Sequence, residues 1–160
     1  YARHYAVVYD KPKLMPNWAM LEELTFGDLS HLYKGIKTDS DKKNIAKGLG
    51  LPMPILESWL HTLTVIRNIC AHHSRLWNRE LGIKPVVPKQ NTINWPKYLM
   101  IDSHHTRVSV ILAMLQYFMI QVAPHSNWQQ RLFELFDDFP DIHIESMGLP
   151  QNWQEDIFWE

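Results

Sequence analysis

Residues 54–79 read PILESWLHTLTVIRNICAHHSRLWNR, and the period of their apolar side chains decides the fold. Leu56, Trp59, Leu63, Ile66 and Cys70 recur every three or four residues, which lines one face of an α-helix and cannot line one face of a strand. Pro54 suits a first helical turn, where its missing N–H has no partner to lose, so a long helix is expected to start there. Gly82 and Pro85 are expected to stop it. On a different face Asn68, His72, Arg75 and Arg79 step by four, three and four, with His61 and Val65 above them. A face that merely meets water is rich in glutamate and lysine, and this stripe has neither.

Outward from that helix, helical periods alternate with loops and strand signals are scarce. Trp18, Leu21 and Leu24 follow Pro16 as one short helix, and Leu29, Leu32, Tyr33 and Ile36 form another after a break at Gly27. Asp39 or Ser40 is expected to cap a helix from Asp41 to about Leu49, closed by Gly48 and Gly50. Residues 83–102, with Pro85, Pro88 and Pro96, show no period and read as an irregular connection that Trp95 and Tyr98 pack down. Asp102 or Ser103 is expected to open a core helix over about 104–123, ended by Pro124. Ser126 to Gln129 has the form of a capping box before Leu132, Leu135 and Phe136, and Leu149 to Trp159 adds a short turn. The expectation is an all-α bundle of about six helices in a single domain over residues 1–160.

Composition narrows the class without naming a partner. Hydrophobic residues make up 46% of the chain, enough for a core, and the stretch from Val108 to Ala123 is too short and too polar to cross a membrane. The sequence opens at Tyr1 with no initiator methionine and no apolar presequence, so it is read as the C-terminal part of a longer protein or as a processed chain, with the cytoplasm as the expected compartment. Cys70 is the single cysteine and is read as a buried thiol on the apolar face. A net charge of −1 gives no bulk attraction to nucleic acid. Its distribution is uneven: Arg67, Arg75, Arg79, Lys84 and Lys89 face only Glu80 within residues 67–89, whereas residues 127–160 hold eight carboxylates against Arg131. That acidic tail reads first as a solvated face, and Arg107 as its ion-pair partner.

The chemistry concentrates in residues 67–79. Guanidinium grips phosphate oxygens in a fork, and imidazole takes and gives a proton near neutral pH, so the two together can cut a phosphodiester without a metal. On a straight helix Arg67 and His72 stand about 140° and roughly 7.5 Å apart, so they do not share a face. Either the helix distorts near His72, or two copies of the motif face each other across a dimer and grip the phosphate between them. No cofactor is expected. His72-His73 and His104-His105 lack metal-ligand spacing, so no metal site is assigned. Trp77, close to the arginines in sequence, is a candidate for stacking on RNA bases, whereas most other tryptophans read as core.

The string Arg67-Asn-Ile-Cys-Ala-His72 resembles the Arg, four to six residues, His motif of HEPN ribonucleases. A wider set of residues resembles the Abi-like proteins of bacterial abortive infection, of the AbiD/AbiF type: Pro16-Asn-Trp18, Glu22, Leu24-Thr-Phe-Gly27, Leu29-Ser30, Leu32-Tyr33, Ser58-Trp59, the Arg67 to His73 string and Arg75-Leu-Trp-Asn-Arg79. The resemblance implies a HEPN-like helical bundle that cleaves RNA without metal in antiphage defence, usually as a homodimer with a composite site. It implies Arg67 and His72 as the catalytic pair with Asn68 as polar companion, and Glu22 and His73 as accessory candidates. Arg75, Arg79 and Trp77 would contact RNA. Such a nuclease needs a restraint, for which an antitoxin or a regulatory RNA is expected. The alternative is a non-catalytic HEPN module that binds RNA or a partner protein.

Overall fold

Trp59 organises the molecule. In the computed structural model, which describes residues 2–9, 11–89, 92–100 and 105–160, its indole is fully buried, on the N-terminal half of the longest described helix. Seven α-helices and no strand occur among the described residues: α1 Ala2–Val8, α2 Asn17–Glu23, α3 Phe26–Gly35, α4 Asp39–Gly48, α5 Met53–Ala71, α6 Val108–Val122 and α7 Trp128–Asp138. The fold is therefore the all-α bundle that the apolar periods foretell, with α1 added where no period announced it.

The buried face of α5 is Ile55, Leu56, Trp59, Leu63 and Ile66, and α3 and α4 pack against this helix. α3 starts at Thr25, whose side chain accepts from the Asp28 N–H at 3.1 Å while Asp28 accepts from the Thr25 N–H at 3.0 Å. This capping box, not Gly27, makes the break after α2. Gly27 instead sits inside α3, where an added Cβ would meet Thr64 Cγ2 of α5 at 3.4 Å. The Thr64 hydroxyl lies 3.4 Å from the Phe26 carbonyl, so the start of α3 is seated near the C-terminal half of α5.

α6 is apolar around most of its circumference and runs through the core. Tyr117 and Phe118 meet Trp59 edge-on at 5.5 Å, and α7 covers α6 from the other side. The connection after α5 packs down as its tryptophan foretells. Trp59 Nε1 donates to the Val86 carbonyl at 2.9 Å, the Val86 N–H donates to Ser58 Oγ at 2.8 Å, and Trp95 stacks at 5.1 Å from Trp59. Pro85, Pro88 and Pro96 are buried with it. The expected caps Asp102 and Ser103, and His104, fall outside the described residues, and α6 begins at Val108.

The chain end closes the bundle through 3₁₀ turns that bury Met147, Trp153, Phe158 and Trp159. α7 is not opened by a Ser126 capping box. Asn127 stands at its N-cap position without a side-chain bond, and Gln129, the far partner of the expected box, is turned inward to join Gln116 and the Trp159 carbonyl. Seven of the tail's eight carboxylates are exposed, as a solvated face requires, and the eighth, Asp156, is half-buried and accepts from the Lys97 and Phe158 N–H groups at 3.0 Å.

Candidate functional site

α5 ends eleven residues before Gly82, at Ala71. His72 is its C-cap, and His73 takes the left-handed conformation with φ 51°. The His73 N–H donates to the Cys70 carbonyl at 3.0 Å and the Ser74 N–H to the Ile69 carbonyl at 3.1 Å, a Schellman closure usually built on glycine. Histidine is one of the few side chains that visits this conformation with any frequency. The stripe expected on one helix is thus divided: Asn68 belongs to α5 and His72 caps it, whereas Arg75 and Arg79 lie in a non-helical loop. No glycine or proline marks that end, which is why the period alone carried the helix too far.

Within the last turn one residue holds the other two. The Asn68 side-chain oxygen accepts from Arg67 Nη1 at 3.1 Å, and its main-chain oxygen accepts the His72 N–H at 3.0 Å. Arg67, Asn68, His72, His73, Arg75 and Arg79 are all exposed, and Trp77 keeps 40% of its surface in water. No hydrogen bond joins Arg67 to His72. The candidate residues are thus open to solvent, at the end of α5 and along the loop that follows it.

The loop's far end is clamped. Leu76 packs on the core, Leu81 is buried, the Leu81 N–H donates to the Thr106 carbonyl at 2.8 Å, and Arg107 Nη1 lies 3.4 Å from the Asn78 carbonyl. Arg107 therefore serves the arginine-bearing loop instead of pairing with the acidic tail. These partners stand more than twenty residues apart, so nothing in the local sequence signalled them. Glu22 is exposed on α2, and no hydrogen bond or ion pair joins it to Arg67 or His72. Cys70, read as core, is exposed, because α5 has passed the edge of the core by its last turn, where Ile66 is the final buried side chain.

Trp59, Trp95, Trp153 and Trp159 are core, Trp128 is half-buried on α7, and Trp18 on α2 and Trp77 in the site loop are exposed. Among the described residues no cluster of three or more His, Cys, Asp or Glu side chains gathers as metal ligands would. No helix among them is long and apolar enough to cross a membrane.

No curated protein and no solved structure matches this chain. A family model does match residues 1–78, the stretch that carries α1 to α5 together with Arg67, Asn68, His72 and the beginning of the loop. Over that stretch, just under half of the chain, the sequence matches the Abi-like protein family, a likeness that points to a role in abortive infection.

Proposed function

We propose that this chain is a metal-independent endoribonuclease of antiphage abortive infection, acting in the cytoplasm. The observation that carries the reading is the exposure of Arg67, hydrogen-bonded to the Asn68 side chain, and of His72, the C-cap of α5, at one helix end. An RNA 2′-hydroxyl attacks the adjacent phosphorus, the bond from phosphorus to the 5′-oxygen breaks, and a 2′,3′-cyclic phosphate and a 5′-hydroxyl result. His72 moves the proton, taking it from the nucleophile or giving it to the leaving oxygen. Arg67 neutralises the crowded phosphorane oxygens. Arg75 and Arg79 hold flanking phosphates, and Trp77 offers a face to a base. His73 and Glu22 are accessory at most.

Arg67 and His72 share no hydrogen bond within one chain, and a homodimer is part of the proposal: Arg67 of one copy and His72 of the other flank a single phosphate. An antitoxin or a regulatory RNA would restrain the activity. The same lack of a hydrogen bond favours the second reading, a non-catalytic module that binds RNA on this basic surface. A nuclease assay in EDTA separates them. Cyclic-phosphate products establish the enzyme, and binding without scission between about pH 6 and 8 establishes the module.

A further inference from the structure

A cleft of about 370 Å³ opens between α3 and α5, on the same helix as the Arg67 to His72 site but nearer its start. Its size falls within the roughly 300–1,000 Å³ of small-ligand sites. Ser30, His31 and Lys34 line it from α3, and Ser58 and His61 from α5. The chemistry of this lining is that of a donor set. Lys34, His31 and His61 are exposed, and Ser58 Oγ already accepts the Val86 N–H at 2.8 Å, which leaves its own O–H to donate. Glu57 also reaches the cleft, but its carboxylate is met by Lys42 at 3.4 Å. Asp28, one turn before His31, is held by the Thr25 hydroxyl and N–H. Such a lining selects an anion, and Met53 and Pro54 add an apolar floor on which a flat ring can lie.

The cleft is aligned with the candidate site. His61 and Asn68 are seven residues apart, so they stand within about 20° of one line along α5 and roughly 10.5 Å from each other, the reach of a few nucleotides. The geometry points to the α3–α5 cleft as a second RNA subsite: it takes a phosphate on Lys34 and His61, and a base against Met53 and Pro54, from the strand whose scissile linkage lies at Arg67 and His72. This inference rests on the endoribonuclease reading and extends it from a cleavage point to a track along α5.

The test is fluorescence anisotropy with a short single-stranded RNA carrying 2′-O-methyl groups, which binds but cannot be cut. The Lys34→Ala, His61→Ala double variant removes only exposed side chains, and circular dichroism checks that it keeps the helical fold. It should bind about tenfold more weakly, and the slope of log affinity against log salt should shrink by about 0.7 for the lost phosphate contact. Lys47→Ala removes the same charge from α4, away from the cleft lining, and should leave that slope unchanged. A double variant that binds like the unaltered protein overturns the subsite while the RNA reading stands. Failure of the unaltered protein to bind this RNA or cut its 2′-hydroxyl counterpart overturns the RNA reading and the subsite with it.

Discussion

The Ser74 amide reaches back to the carbonyl of Ile69 at 3.1 Å, and that bond, closed over a left-handed His73, ends α5 and turns the arginine loop away from the helix axis. A side chain in this conformation crowds the following carbonyl, which glycine avoids and a β-branched residue aggravates. His73→Gly should therefore match or exceed the stability of the unaltered protein, by up to about 1 kcal/mol. His73→Val should lose about 1–2 kcal/mol, or several degrees of Tm in a chain of this size. Thermal denaturation of the two variants side by side reads the sign directly, and equal melting temperatures would remove the proposed closure.

Asn68 supports Arg67 through its side chain and His72 through its backbone, so only one of the two supports can be removed by substitution. Asn68→Ala should lower RNA cleavage by about tenfold or less, since an exposed hydrogen bond is worth little. His72→Ala should cost on the order of 10²–10⁴ in rate, with an unchanged helical spectrum because the side chain is exposed. Arg67→Ala should be at least as severe as Asn68→Ala. Single-turnover cleavage rates rank the three, and a ranking with Asn68 first would contradict the assigned roles.

Trp59→Ala should be the most damaging substitution in the chain. It empties the space among Trp95, Tyr117 and Phe118 and leaves the Val86 carbonyl without its donor. The expected loss is about 3–5 kcal/mol in urea unfolding. Trp59→Phe keeps much of the ring contact and should retain most of the stability.

Acid should weaken the α2–α3 junction through Asp28. The Thr25 hydroxyl and then the Thr25 N–H hold the Asp28 carboxyl below the ordinary carboxylate range, with desolvation opposing them weakly. A carboxyl whose folded value is depressed adds stability above its unfolded value, near pH 4, and that contribution is lost as pH falls through the lower folded value. The difference in Tm between the unaltered protein and Asp28→Asn should be constant above about pH 5 and shrink below about pH 4. Thr25→Ala, which removes the cap itself, should cost about 1 kcal/mol near neutral pH.

The all-α class, the buried face of α5 and the packed connection near Trp95 were legible because each depends on residues close in sequence whose period or composition is distinctive, whereas α1 carries no apolar period and was not. The end of α5 was not, since His73 adopts a glycine-like conformation with no glycine to announce it. Cys70 fits the apolar period yet lies beyond the core's edge, and periodicity records direction around an axis without recording where the neighbouring helices stop. Arg67, Asn68 and His72 are close enough in sequence for their shared place at one helix end to follow from local spacing. The hold of Arg107 on the Asn78 carbonyl and the cleft between His31 and His61 were not legible, because both arise from contacts between distant segments.

The central claim is that His72 and Arg67 cut RNA by transesterification, and the most direct measurement is end analysis of a single-stranded RNA after incubation with the protein in EDTA. The account predicts 2′,3′-cyclic phosphate and 5′-hydroxyl ends, absent with His72→Ala and with a substrate lacking the 2′-hydroxyl. Undiminished cleavage by His72→Ala, or products carrying 3′-hydroxyl and 5′-phosphate ends, would contradict it.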